Sequence, residues 1–102
     1  MSKIKKIYEF GASWCGPCKA YGPVFKRVSD MEEFTGIEFK QIDVDSDEGE
    51  ELSEKFQVRN VPTTLIIGDN EELKFRLVGN IPENDLVKLI RDNNKEDEEV
   101  TE

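Results

Sequence analysis

The chain has 102 residues and a formal net charge of −9 at pH 7, with a sequence pI near 4.6. This length accommodates one domain with an adequate hydrophobic core and is too short for two. Because the net charge repels phosphate backbones and anionic lipid surfaces, the composition argues against binding to nucleic acid or to a membrane surface.

The first predicted elements are a strand and a long helix. β-branched and aromatic residues over residues 4–10, followed by Gly11, are typical of a strand that leads into a loop. Pro17 stands where a helix can begin without losing a hydrogen bond, and apolar residues at three- and four-residue spacing predict an amphipathic helix that continues to Phe34. Pro23 lacks the N–H that the preceding turn would use, so we expect a bend in this helix.

A second strand and a short helix follow. Gly36 ends the first helix, and the apolar residues within 37–44 predict a strand that is parallel to the first one if the connection is a βαβ crossover. The next segment is acidic, and Asp47 with Glu50 is the expected capping pair of a second helix.

The last three predicted elements are two strands and a helix. Residues 63–67 are a continuous apolar run, which is typical of a buried strand. Apolar and basic residues alternate over residues 73–77, the pattern of a half-exposed antiparallel neighbour, so we expect a hairpin. Pro82 opens the last helix, whose apolar residues cover the sheet. The element order βαβαββα predicts an α/β sandwich.

The two ends of the chain lead to expectations about order and location. We expect residues 1–92 to form the domain and residues 93–102, which hold five acids and one Lys, to be a disordered acidic tail. Residues 1–6 contain no apolar run long enough for a signal peptide, and the run 63–67 is far too short to span a bilayer. We therefore expect a cytoplasmic protein, and we expect it to be a monomer.

Two cysteines, Cys15 and Cys18, lie at the junction between the first strand and the first helix. Unpaired backbone N–H groups and the helix dipole favour a thiolate there, so Cys15 is the expected nucleophile and its sulfur should be accessible. The spacing lets the Cys18 sulfur reach Cys15 within one helical turn and resolve a mixed disulfide. The sequence has no His, so a zinc site would need carboxylates or a second chain, and we expect neither a metal nor another cofactor.

Four short motifs occur in a characteristic order and spacing: Trp14-Cys15-Gly16-Pro17-Cys18-Lys19, Pro23, Val61-Pro62-Thr63 and Val78-Gly79. Through them the sequence resembles the thioredoxin family over residues 4–92, and the first motif is the most specific of the four. The resemblance implies a thioredoxin-like fold with a minimal βαβαββα core, in which helices flank a four-stranded mixed sheet. We expect the short form that lacks the strand and helix most thioredoxins place first.

The resemblance also implies how a substrate binds. Pro62 is expected to be cis and to face the two cysteines, while the backbone of Val61 pairs with an extended substrate segment. The apolar patch that receives substrate proteins is expected to consist of Trp14, Gly16, Pro17, Val61, Pro62 and Gly79.

Glu9 occupies the position at which thioredoxins carry a buried acid, usually Asp, beneath the resolving cysteine. Our hypothesis is that Glu9 is partly buried with a raised pKa and assists deprotonation of Cys18, and the alternative is a solvated strand carboxylate. Two residues depart from the family pattern, since Gln41 replaces a frequent Lys and Gly11 replaces a frequent second Trp. Without the Lys counter-charge, Glu9 should be easier to protonate than the family acid.

The predicted function is protein disulfide reduction through the Cys-Gly-Pro-Cys active site, with an electron donor of the thioredoxin reductase type. A glutaredoxin-like reductase that uses glutathione is an alternative. Glutaredoxins usually enclose a different dipeptide between their cysteines, but Arg59 near the predicted groove offers a partner for a glutathione carboxylate. Two further alternatives are a thioredoxin-fold subunit that binds a larger enzyme without using its thiols, and a metal or iron–sulfur site shared between two chains.

Overall fold

The architecture alternates strands and helices in the predicted order βαβαββα. The computed structural model describes residues 3–94. Its main elements are β1 (Lys6–Gly11), α1 (Gly16–Ser29), β2 (Glu38–Asp43), α2 (Asp47–Phe56), β3 (Thr63–Ile67), β4 (Leu73–Val78) and α3 (Glu83–Asn93). Short 3₁₀ turns at Glu32–Phe34 and Asp69–Glu71 lie in the connections.

The four strands form one mixed sheet in the order β2-β1-β3-β4. β1 pairs in parallel with β2 and antiparallel with β3, and β3 continues into the antiparallel hairpin with β4. The parallel pair, the buried strand Thr63–Ile67 and the hairpin are all confirmed. Since β1 and β3 are the central strands and run antiparallel, the loop after β1 and the loop before β3 lie side by side in the middle of one sheet edge.

Hydrophobic residues cover the sheet on both faces. On one face, Ile7 and Ile66 pack with Tyr21 and Phe25 of α1 and Ile90 of α3. Because side chains alternate along a strand, Tyr8 and Phe10 point the other way, where they contribute to a second cluster with Phe56 of α2. The same alternation places Glu9 on the face that α1 covers.

The first helix is shorter than predicted. α1 ends at Ser29, and Phe34 lies in the following 3₁₀ turn. The Ser29 hydroxyl donates to the carbonyl oxygen of Lys26 at 2.6 Å, a local bond that competes with the helical pattern. Met31 then adopts an extended backbone, and the 3₁₀ turn returns Phe34 to the core. The apolar spacing therefore predicted burial correctly and helix length wrongly.

The second helix begins with a different cap from the predicted one. Ser46, not Asp47 with Glu50, is its N-cap, and the Ser46 hydroxyl oxygen accepts from the backbone N–H of Gly49 at 2.9 Å. Asp47 and Glu50 instead lie in the first turn, where carboxylates interact favourably with the helix dipole. A serine hydroxyl reaches the third N–H of a helix readily, so the residue before the acidic run caps it.

The C-terminal boundary is only partly covered by the described residues. α3 continues to Asn93, and the side-chain oxygen of Asn94 accepts from the backbone N–H of Ile4 at 3.1 Å. Residues 95–102 lie outside the described residues, so the acidic tail stays a prediction. The bend at Pro23, a residue inside α1, also stays a prediction. No helix among residues 3–94 combines the length and the apolar character that crossing a membrane requires.

Candidate active site

Cys15 and Cys18 form a disulfide at the start of α1. The strand β1 ends at Gly11, a short turn follows, and Cys15 is the N-cap of the helix. Its Sγ lies 3.2 Å from the backbone nitrogen of Cys18, so the sulfur receives one of the N–H groups that have no partner within the helix. The predicted meeting of the two sulfurs at a helix N-terminus is confirmed.

Both cysteines are buried in this oxidised form. Cys15 is 5% exposed and Cys18 is 8% exposed. The expected accessibility of the Cys15 sulfur concerns the reduced form and stays a prediction. The S–S bond holds the Cys15 side chain against α1, and the carbonyl oxygen of Val61 lies 3.7 Å from its Sγ. The loop before β3 thus covers the Cys15 sulfur.

This covering loop contains a cis peptide bond between Val61 and Pro62, as the resemblance implied. The backbone N–H of Gly79 donates to the carbonyl oxygen of Pro62 at 2.8 Å. Gly79 has a φ of +96°, a left-handed conformation that glycine adopts without strain. The end of β4 and the loop before β3 are therefore held together next to the disulfide.

The expected substrate patch is exposed in part. Trp14 is 68% exposed, and Gly16 and Pro17 are exposed beside it, whereas Val61 is half-buried and Pro62 is buried. A cleft of about 560 Å³ lies between Trp14 and Val61 and continues along Val44, Glu50, Ser53, Val58, Arg59 and Asn60. The patch is thus an aromatic ridge beside a cleft.

Sequence reasoning missed two residues of this surface. The Trp14 indole donates from Nε1 to Oδ2 of Asp45 at 2.9 Å, which fixes the orientation of the ring. Asp45 follows β2 and Trp14 follows β1. Because parallel strands end at the same sheet edge, the predicted parallel pairing of β1 and β2 could have placed these two residues near each other. Val78 at the end of β4 is 60% exposed and extends the apolar surface beyond Gly79.

Glu9 is buried, with 4% of its surface exposed, so it is not a solvated strand carboxylate. Burial raises its pKa, and a hydrogen bond from Nε2 of Gln41 to its Oε1 at 3.0 Å opposes that rise. Glu9, Cys18 and Gln41 all line a cleft of about 300 Å³ at the start of α1. Glu9 and the resolving cysteine therefore line the same cleft.

Gly11 leaves room between these two groups. A Cβ on Gly11 would lie 3.2 Å from Oε2 of Glu9 and 3.5 Å from Sγ of Cys18. Both atoms therefore lie close to the position that a side chain at residue 11 would fill. The absence of a side chain at this position keeps the cleft open.

Comparison with known proteins agrees with this geometry. The family model described as Thioredoxin matches residues 1–92. A thioredoxin of Mycoplasmoides gallisepticum is 35% identical over 88 residues, covering 85% of this chain and 82% of that protein. The crystal structure of the Malassezia sympodialis thioredoxin matches with a TM-score of 0.75 at 31% identity, over 88% of this chain and 75% of that one. The oxidised thioredoxin of Plasmodium falciparum matches with a TM-score of 0.69 at 31% identity, over 88% and 81%.

This chain belongs to the thioredoxin family. Thioredoxins are thiol-disulfide oxidoreductases, and the disulfide at the start of α1 is their dithiol active site in its oxidised form. The predicted four-stranded mixed sheet and the predicted enzyme class are both confirmed. Within residues 3–94 no group of three or more His, Cys, Asp or Glu side chains is arranged to hold a metal ion.

Proposed function

We propose that this thioredoxin reduces disulfide bonds of protein substrates with Cys15 as the attacking sulfur and Cys18 as the resolving sulfur. The observation that carries the proposal is the helix-capping disulfide, with the Val61 carbonyl beside the Cys15 sulfur and Glu9 behind Cys18. In the reduced chain, N–H groups at the start of α1 stabilise a thiolate on Cys15.

The first step is an attack of the Cys15 thiolate on one sulfur of the substrate disulfide. A bond forms between Cys15 Sγ and that sulfur, and the S–S bond of the substrate breaks. The other substrate sulfur leaves as a thiolate and takes a proton from solvent. An extended substrate segment pairs with the backbone of Val61 beside the cis peptide, and the patch around Trp14 receives the surrounding surface.

The second step resolves the mixed disulfide. Glu9 accepts the proton of the Cys18 thiol through the cleft that both groups line, and its raised pKa makes it a better base near neutral pH. The Cys18 thiolate attacks Cys15 Sγ, the mixed disulfide breaks, and the second substrate sulfur leaves as a thiolate. Overall, two electrons and two protons pass from the dithiol to the substrate.

The chain then holds the disulfide that the structure contains, and a dithiol donor must reduce it before the next turnover. We assign this task to a reductase of the thioredoxin reductase type. We also propose that the protein works as a monomer in the cytoplasm, a reducing compartment in which the dithiol form persists.

The test is to trap the mixed disulfide. Cys18→Ser should accumulate a covalent complex between Cys15 and a protein substrate, because the resolving thiolate is gone, and mass spectrometry identifies the trapped sulfur. Cys15→Ser is the matched control and should trap nothing, while both variants should fail to reduce insulin with a dithiol as electron source. Equal trapping by the two variants would contradict the assignment of roles.

A second experiment separates chemistry from binding. A thioredoxin-fold binding subunit would keep its biological function when both cysteines are replaced by serine, although reductase activity is lost. We expect the doubly substituted chain to lose both, as the disulfide is built into the helix start and the covering loop.

A further inference from the structure

Two arginines beside the active site, Arg59 and Arg76, donate hydrogen bonds to neutral oxygen atoms. Arg59 donates from Nη2 to the side-chain oxygen of Gln57 at 2.9 Å. Arg76 donates to the backbone oxygens of Phe56 at 2.6 Å and Gln57 at 3.2 Å. These acceptors are neutral, whereas most other basic side chains in this acidic protein pair with carboxylates. Both arginines therefore bind neutral acceptors, although Glu50 lines the cleft beside Arg59.

Gln57 brings the two guanidinium groups to one place. It is the C-cap of α2 in a left-handed conformation, so its backbone oxygen faces β4 and its side chain faces the loop that contains Arg59. A cavity of about 340 Å³ results, and none of its lining residues is acidic: Gln57, Arg59, Asn60, Thr63, Arg76 and Val78. Two guanidinium groups at one cavity suit a carboxylate, because each offers N–H donors in a planar fork.

The cavity adjoins the surface at which the substrate is expected to bind. Asn60 precedes Val61 in the loop that covers the Cys15 sulfur, and Thr63 pairs with the exposed Val78 across the β3–β4 hairpin. An extended segment that pairs with Val61 advances by about 3.3 Å per residue. A side chain within a few residues of the substrate cysteine can therefore reach the arginines.

We propose that Arg59 and Arg76 form a carboxylate-binding subsite that selects protein substrates with Asp or Glu within a few residues of the reactive cysteine. This inference rests on the reductase function proposed above and adds a substrate class to it. Arg76 also closes the end of α2 through its bonds to the backbone, whereas Arg59 makes no comparable contact. Arg59 is therefore the residue through which the subsite can be tested without removing a helix cap.

The experiment uses short peptides that each contain one disulfide. A single Glu is moved through the three positions on either side of one cysteine, and each peptide has a counterpart with Gln. At low ionic strength we expect the wild-type chain to reduce at least one Glu peptide with a kcat/KM about threefold or more above its Gln counterpart. In Arg59→Gln that ratio should fall to about one, and added salt should lower it in the wild type.

Two variants distinguish binding at the subsite from a general effect of the protein's net charge. Lys88→Gln removes the same charge from a distant, exposed ion pair on α3 and should keep the preference for Glu. Arg59→Glu should reverse the preference towards a peptide with Lys at the same position. Circular dichroism and thermal melts establish that Arg59→Gln folds as the wild type does.

The outcomes also separate this inference from the function on which it rests. If Glu and Gln peptides are reduced equally at every position, the subsite is wrong and the reductase function stands. If neither is reduced, both fail. A peptide carrying glutathione on one cysteine is the last arm: if Arg59→Gln slows only its reduction, the cavity binds a glutathione carboxylate and the proposal is overturned.

Discussion

Glu9 illustrates how burial of a single carboxyl group can lower stability at a residue for which we propose a catalytic role. Its carboxyl group is buried in an apolar strand and receives a hydrogen bond from the neutral amide of Gln41. A neutral donor offsets part of the lost hydration but supplies no counter-charge, which agrees with the raised pKa. The sequence predicted the raised pKa from the position of an acid in an apolar strand. The comparison with the family acid and the role in deprotonating Cys18 stay predictions.

Glu9→Gln should make the protein more stable at neutral pH. A carboxyl group with a raised pKa in the folded state binds more protons when folded, so wild-type stability falls as pH rises from about 4.5 through the folded pKa. Glutamine removes this loss and can still accept from Gln41. Thermal melts between pH 3 and pH 8 should show the variant ahead at the alkaline end only. A wild-type advantage at pH 8 would contradict the burial argument.

The same substitution should slow the resolving step. Without a carboxylate to accept the Cys18 proton, we expect decay of the mixed disulfide near pH 7 to be about tenfold slower or more. The difference should shrink as pH rises and solvent hydroxide removes the proton instead. Single-turnover release of substrate from the mixed disulfide measures this rate, and an unchanged pH profile would exclude the relay.

At the scale of elements, α2 is defined by a close approach to the end of β2. Ser46 caps the helix through Gly49, and a Cβ on Gly49 would lie 1.8 Å from the backbone oxygen of Asp43. No side chain fits there, so the helix meets the strand end through its glycine. Gly22 in the middle of α1 differs, because a Cβ there would lie 3.6 Å from Nε2 of Gln41, an ordinary contact.

These two helical glycines should respond oppositely to alanine. Gly49→Ala forces the backbone of β2 and α2 apart and should destabilise the fold by about 2–4 kcal/mol. Gly22→Ala meets no obstacle and should stabilise by about 0.5–1 kcal/mol, because alanine restricts the unfolded chain and favours helix. Urea denaturation of both variants measures the difference. A Gly49→Ala variant as stable as the wild type would show that α2 can shift freely.

At the scale of the whole molecule, Glu71 ties together segments distant in the chain. Its carboxylate receives Nζ of Lys55 from α2 at 2.6 Å and Nζ of Lys6 from β1 at 2.7 Å. These bonds, first that from Lys55, lower the pKa of Glu71 to about 2. The 3₁₀ turn between β3 and β4 is thereby fastened to the first strand and the second helix.

Glu71→Gln should lower stability modestly and only above acidic pH. The bridge is partly exposed, so we expect a loss below about 1 kcal/mol at pH 7 and low salt. Because the folded pKa is depressed, this stabilisation is present above about pH 4.5 and disappears as pH falls towards 2. Denaturant titrations at several pH values measure it. Asp92→Asn is the matched control, since it breaks one pair within a single helix and should cost less.

Local sequence patterns were sufficient to predict the strands and helices but not the residues at which they begin and end. Thr63–Ile67 was placed by its uninterrupted apolar run, and the antiparallel alternation located β4. At the end of α1 the Ser29 hydroxyl donates to the carbonyl oxygen of Lys26, and at the start of α2 the Ser46 hydroxyl accepts from the N–H of Gly49. Alternative hydrogen bonds between neighbouring polar groups differ by small free energies, and the spacing of apolar residues does not reveal which one forms.

The sequence by itself determined the order of strands and helices and the position of the dithiol at a helix start, because both follow from hydrophobic periodicity and short-range backbone sterics. The tertiary structure decided which distant groups meet there. Only strand pairing brought the Val61 carbonyl to Cys15, set Glu9 and Cys18 around one cleft, and turned Arg59 and Arg76 towards one cavity. These contacts join residues far apart in the chain, and their geometry arises when the sheet and its covering helices pack together.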